Sequence, residues 1–122
     1  MRVAILSDIH ANREALDAVL DAVHKLGPDQ LVLLGDLVGY GPDPVHVVEK
    51  AAGLIAQGAL CVLGNHDEAV VLNRTDMTEN ARFAVQWTRE RLAPAHFDFL
   101  ARLPLSLQSE DRLYVHASAE RP

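Results

Sequence analysis

Residues 1–12 read MRVAILSDIHAN, an apolar run that breaks at once into Ser7-Asp8-Ile9-His10. The same grammar recurs twice: LVLLGD at 31–36 and ALCVLGNHD at 59–67. Arg2 to Leu6, Leu31 to Leu34 and Ala59 to Leu63 therefore read as three short buried strands, each ending in polar residues. Between the first two, Ala15, Leu16, Val19, Leu20, Val23 and Leu26 recur at helical spacing, and Gly27-Pro28 supplies the stop. Asp43-Pro44 reads as an N-cap with proline at the first helical position, opening a helix to about Gln57. Val47, Val48, Ala51, Leu54 and Ile55 form its inward face. The sum is β-α-β-α-β, the pattern of an α/β fold with a parallel sheet and right-handed crossovers.

The second half reads differently. Residues from about Thr78 to Leu92 suit a helix, with Ala81, Ala84, Val85, Thr88 and Leu92 on one side. A shorter helix covers Pro94 to Leu103. Leu105 to Gln108 and Arg112 to Val115 read as two strands joined by the polar Ser109-Glu110-Asp111, a hairpin. Repeats, low-complexity segments and linkers are absent.

With 122 residues, the chain is expected to form a single domain. Hydrophobic residues make up 49%, enough to build a core. The formal net charge of −6, with no run of Lys or Arg, argues against a generic nucleic-acid or anionic-membrane binder. The lone Cys61 lies in an apolar run, which fits a reducing, cytoplasmic setting. The first apolar run is far too short for a secretory leader, and no stretch approaches the ~20 residues that span a bilayer.

Residues that bind metal well collect after four predicted strands: Asp8 and His10, Asp36, Asn65-His66-Asp67, and His116. Ligands of open parallel sheets gather at the carboxyl ends of strands, so these positions are expected to converge on one crevice. Asp8 and His10, two apart on an extended segment, would point the same way and reach one ion. Singly, each has a plain structural reading: a capping aspartate at Asp8, a turn at Gly35-Asp36, a helix cap at Asp67, a structural histidine at His116. Four chance turns would not all place oxygen and nitrogen ligands at strand ends, so the metal reading is preferred. Carboxylates, imidazoles and an amide oxygen suit Mn²⁺, Fe²⁺, Zn²⁺ or Ni²⁺, and neighbouring carboxylates are too few for a calcium cage. Asp36 is placed to bridge two ions, which together could hold a hydroxide nucleophile and clamp a phosphoryl group. His66 could protonate the leaving oxygen.

These residues resemble the calcineurin-like metallophosphoesterase superfamily, whose pattern is Asp-x-His, Gly-Asp, Gly-Asn-His-Asp/Glu, a single His, and Gly-His-x-His. Asp8/His10, Gly35-Asp36, Gly64-Asn65-His66-Asp67 and His116 match the first four parts in order. The strings LSDIHAN, GDLVGYGPDP and GNHDEAV look like its small prokaryotic phosphodiesterase and phosphatase branch. The resemblance implies that Asp8, His10 and Asp36 hold one divalent metal, and that Asp36, Asn65 and His116 hold a second. His66 would be the catalytic histidine. It also implies a four-layer α/β-β/α sandwich of which residues 1–122 supply the N-terminal half, an apparently truncated domain. The Gly-His-x-His part has no counterpart here. Ser/Thr protein phosphatases of the superfamily carry Asp-Arg-Gly where this chain has Gly39-Tyr40-Gly41, so that branch is not expected.

The leading expectation is metal-dependent hydrolysis of a phosphoester substrate. The alternative is a non-catalytic metal-binding remnant, or a subunit that needs a second chain to complete the site. A half sandwich would expose apolar sheet surface, so self-association into a homo-oligomer is expected. A nucleotide-binding Rossmann domain is excluded, because Ser7 to Asn12 contains no glycine. His24, His46 and His96 read as surface or boundary residues, Trp87 as core, and Asn12 as the cap of the first helix. Tyr40 and its flanking glycines form a candidate substrate-facing loop.

Overall fold

A computed structural model describes residues 1–122. Three strands form a parallel sheet in the order β1-β2-β3: β1 (Val3–Leu6), β2 (Gln30–Leu33) and β3 (Leu60–Cys61). The register pairs Ala4 with Leu31, Leu6 with Leu33, and Leu33 with Cys61. The crossover helices are α1 (Arg13–Leu26) and α2 (Pro44–Ala56). Both crossovers step the same way across the sheet, so right-handedness puts both helices on one face. Asn12 caps α1, its side chain accepting from the Ala15 N–H at 3.0 Å. Gly27 stops the helix in the left-handed conformation that favours glycine. Asp43 stands at the N-cap of α2 but makes no side-chain cap bond; Pro44 at the helix start fixes the entry.

Three further helices follow: α3 (Asn65–Leu72), α4 (Glu79–Arg91) and α5 (Pro94–Ala101). They pack against α2 and one face of the sheet, in a core holding Leu33, Val47, Val48, Cys61, Val70, Val85 and Leu100. The hairpin forms as read, from β4 (Ser106–Ser109) and β5 (Arg112–Val115), paired antiparallel with Leu107 opposite Tyr114. It lies on the other face, where Tyr114 packs with Val32 and Val62. Side chains alternate along each strand, so Leu33 and Cys61 serve the helical face while Val32 and Val62 serve the hairpin face. The molecule is thus a mixed α/β arrangement of helices, sheet and hairpin.

Several expectations need correction. β1 is an edge strand rather than a buried one, and Ile5 is 53% exposed on the face that the two-stranded hairpin only partly covers. In α1 only Leu16 is buried, and Val19 and Leu26 are exposed, because the helix packs along the margin of the core. Trp87 is half-buried under the Arg91 guanidinium, 3.7 Å from its ring centroid, not in the core. His24 is exposed, and His46 and His96 meet the surface carboxylates of Asp17 and Glu49, as boundary residues do. No helix is long and apolar enough to cross a membrane.

Candidate metal centre

Four segments meet at the carboxyl edge of the sheet. The loop after β1 lies against the loop after β2: Asp8 N–H donates to Gly35 O at 3.1 Å, His10 N–H to Asp36 O at 2.9 Å, and Ala11 N–H to Leu37 O at 2.7 Å. This backbone lacing, not an extended segment, brings Asp8 and His10 to one place. Both residues have positive φ, 57° and 48°, so the expected extended geometry is overturned. Asp36 and Tyr40 are left-handed as well, at 54° and 63°. Non-glycine residues in this region cost about 1–3 kcal/mol each, and such strain persists where the surrounding structure over-determines it, often at functional sites.

The loop after β3 closes on the loop after β2 so tightly that only glycine fits at the contact. A Cβ on Gly35 would fall 2.4 Å from Gly64 N, and one on Gly64 would fall 2.1 Å from Asp36 N. Asp67, on the first turn of α3, is fully buried. Its carboxylate accepts from Gly64 N–H at 2.9 Å, so Asp67 does not cap a following helix but bonds back, from inside the first turn of α3, to the N-cap residue Gly64. It also accepts from Asp36 N–H at 2.8 Å and Val38 N–H at 3.1 Å, across the loops. Burial pushes this carboxyl up to about 6, while the backbone donors of Gly64, Val38 and Asp36 pull it down.

The side chains then converge. Ligand atoms of Asp8, Asp36 and His116 all lie within 4.8 Å of one another. His10 Nε2 is 3.6 Å from Asp8 Oδ1 and 3.6 Å from Asp36 Oδ2. His116 Nε2 is 3.4 Å from the same Asp36 Oδ2 and 3.0 Å from Asn65 Oδ1. The buried Asp36 carboxylate thus sits between two imidazoles, and its other oxygen accepts the His66 N–H at 2.9 Å. Ser7, which the sequence reading passed over, donates its hydroxyl to Asp8 Oδ2 at 2.5 Å. That bond, aided by the nearby His116 and His10 rings, holds the Asp8 carboxyl below its usual range against partial burial. The signal for Ser7 was only its place beside Asp8; the signal for the cross-loop role of Asp67 was none at all.

The donor set fits a divalent metal on its own chemistry. His10 Nδ1 lies 3.0 Å from Val38 O and His116 Nδ1 lies 2.7 Å from Leu34 O. A carbonyl only accepts, so each Nδ1 carries the hydrogen and a neutral ring turns its Nε2 lone pair toward the carboxylates. Acceptor then faces acceptor, an arrangement that a shared cation relieves, as a second ring proton also would. Adjacent ligands each ~2.1 Å from one metal ion stand roughly 3.0–3.4 Å apart, close to the spacings found between these atoms.

His66 stands beside this cluster. Its ring makes edge contacts with His10 (centroids 5.0 Å apart) and tilted contact with Tyr40 (4.9 Å). Its Nδ1 is buried and has no hydrogen-bond partner. Burial lowers the pKa of the ring, with the Asp36 and Asp8 carboxylates pulling the other way. A cavity of about 500 Å³ opens alongside, bounded by Tyr40, Asn65, His66, Arg74, Met77 and Thr78. Arg74 there is already paired with Asp76 at 2.7 Å and Glu68 at 3.1 Å.

Known proteins are similar to this chain in sequence and fold. The chain is 33% identical over 126 residues to an uncharacterised protein of Methanocaldococcus jannaschii, covering 98% of this chain and 51% of that one. It is 31% identical over 129 residues to a symmetrical bis(5'-nucleosyl)-tetraphosphatase of Erwinia tasmaniensis, covering 98% and 44%. The chain therefore spans about half the length of the curated relatives it matches. Among solved structures, a metallophosphoesterase from Sphaerobacter thermophilus superposes with a TM-score of 0.73 at 40% identity, covering 93% of this chain and 45% of that one. A hypothetical protein from Pyrococcus horikoshii shares the fold with a TM-score of 0.80 at 23% identity, covering 87% and 49%. The calcineurin-like phosphoesterase pattern itself matches residues 1–118, a span that holds every side chain of the cluster just described. By that match, this chain belongs to the calcineurin-like phosphoesterase family.

Proposed function

We propose that this chain carries the metal-binding part of a phosphoester hydrolase with a dinuclear centre. One observation carries the reading: Asp36 Oδ2 lies 3.6 Å from His10 Nε2 and 3.4 Å from His116 Nε2, a single carboxylate oxygen between two ligand sets. Asp8, His10 and Asp36 would hold one ion, and Asp36, Asn65 and His116 the other. Mixed carboxylate, imidazole and amide ligands suit Mn²⁺, Fe²⁺, Zn²⁺ or Ni²⁺. When bound, such ions polarise the phosphoryl oxygens and lower the pKa of water. The buried thiol of Cys61 supports a reducing, cytoplasmic setting.

His66 acts as general acid in this reading. The oxygen of water bonds to phosphorus, the bond from phosphorus to the ester oxygen breaks, and that oxygen takes a proton from the His66 imidazolium to leave as an alcohol. The ring then regains a proton released from the attacking water. The cavity beside His66 receives the leaving group. The Erwinia relative's name points to nucleotides, so nucleotide phosphoesters are the substrate class to test first.

The test is metal content per chain after loading with Mn²⁺, alongside hydrolysis of bis(p-nitrophenyl) phosphate. Two ions per wild-type chain, lost in Asp36→Asn together with turnover, is the expected result. One ion would favour a site completed by a second chain or further ligands. A folded protein that binds no metal would sink the dinuclear reading and leave the non-catalytic remnant.

A further inference from the structure

The imidazole of His66 is held without a hydrogen bond. Its Nδ1 is buried and unpartnered, so no carboxylate or carbonyl fixes the ring. What surrounds it is the loop Gly39-Tyr40-Gly41. A Cβ on Gly39 would stand 3.1 Å from His66 Nδ1, so the bare backbone there packs against the ring edge. A Cβ on Gly41 would fall 2.0 Å from His10 O, so the other end of the loop is pressed against the His10 backbone. Between them Tyr40 adopts a left-handed φ of 63°, a conformation that a side-chain-bearing residue seldom takes. That turn sets its ring 4.9 Å from the His66 ring and 5.3 Å from the His10 ring. Three aromatic rings therefore pack mutually, with the two histidines themselves 5.0 Å apart and nearly perpendicular. Yet Tyr40 is 55% exposed, so burial of its own surface does not account for the strained turn.

We infer that Tyr40 is the positioning residue for His66, its ring fixing by contact the orientation that a hydrogen bond leaves open. This rests on the reading of His66 as proton donor. Tyr40 itself neither binds metal nor transfers a proton, and its hydroxyl is dispensable for this role. Removal of the ring leaves the imidazole free to rotate away from the leaving oxygen while the metal ligands stay in place.

Tyr40→Ala and Tyr40→Phe, each loaded with Mn²⁺, would be compared on two esters. One is p-nitrophenyl thymidine 5'-phosphate, whose leaving group departs without a proton; the other is a thymidine dinucleotide, whose alkoxide needs one. Tyr40→Ala should lower kcat on the dinucleotide by roughly 10–100-fold with KM nearly unchanged, and lower it far less on the aryl ester. Tyr40→Phe should retain wild-type rates, and both variants should keep the wild-type metal content. Independently of turnover, the proton NMR contacts between the His66 ring and Gly39 should weaken in Tyr40→Ala and persist in Tyr40→Phe. A raised KM with unchanged kcat would make Tyr40 a substrate contact and overturn the inference, as would His66–Gly39 contacts that survive in Tyr40→Ala. If the wild type hydrolyses neither ester, turnover by this chain alone is refuted, and the NMR comparison still decides whether Tyr40 orients His66.

Discussion

Asp36 and Asp67 clasp each other's loops in both directions. The Asp67 carboxylate accepts the Asp36 N–H at 2.8 Å, while Asp36 Oδ1 accepts the N–H of His66, the residue just before Asp67. Both aspartates are buried, and each spends an oxygen on the backbone of the segment that carries the other. The segments that carry Asp36, Asn65 and His66 are thereby locked at one spacing by protein contacts alone.

Asp67→Ala should therefore be among the more damaging substitutions in the chain. It strips the acceptor from three N–H groups, of Asp36, Val38 and Gly64. An unsatisfied buried donor costs about 1–3 kcal/mol, so a loss of at least ~3 kcal/mol is expected. Asp67→Asn, which keeps one acceptor oxygen, should fall between. Urea denaturation measures this, and an Asp67→Ala variant within about 1 kcal/mol of wild type would refute the clasp.

Tyr114 ties the hairpin to the sheet, and His116 follows it by two residues. Tyr114 is buried against Val32 and Val62, while the exposed Leu113 contributes nothing to that face. Tyr114→Ala should cost about 3–5 kcal/mol, as large aromatic deletions do. The hairpin should also loosen, so that Mn²⁺ affinity falls even in protein that remains folded by circular dichroism. Isothermal titration with unchanged Mn²⁺ affinity would show that His116 is held without the Tyr114 contact.

Cys61 should be chemically silent in the folded protein. Burial pushes its thiol up to about 12, with the Asp67 carboxylate adding to the effect. At pH 8 roughly one thiol in 10⁴ is then ionised, and only thiolate reacts. Ellman's reagent should report no accessible thiol until urea unfolds the chain. The linkage sign follows from the same shift. Between about pH 9 and 12 the unfolded chain has released this proton and the folded chain has not, so stability falls as pH rises through that window. Cys61→Ala should flatten that part of the stability profile; an identical slope in the variant would assign it to other groups.

Much of the frame was legible because periodicity and punctuation agree in this chain. Three apolar runs ending in Ser7-Asp8, Gly35-Asp36 and Gly64-Asn65 gave the parallel sheet, and Gly27 and Pro44 marked helix boundaries that the structure keeps. The hairpin was legible from two strand-like runs around Glu110-Asp111. α3 was signalled only by the cap reading at Asp67, because its apolar residues Ala69 to Leu72 run consecutively instead of recurring at helical spacing. The exposure of Ile5 was illegible, since an apolar strand looks the same whether or not a neighbour covers it.

The sequence by itself determined which residues reach the carboxyl edge of the sheet, since strand alternation and crossover handedness are local rules that composition obeys. It determined the side-chain types gathered there as well: two aspartates, two histidines and an asparagine at strand ends. Tertiary structure alone decided how they meet. Asp8 and His10 converge through left-handed turns laced to the next loop, and Asp67 reaches across that loop to the backbone of Asp36 and Val38. The imidazole of His66 finds packing where it lacks a bond, against Tyr40 and Gly39. Such contacts join residues some thirty positions apart through backbone groups that every residue carries, so no side-chain pattern announces them.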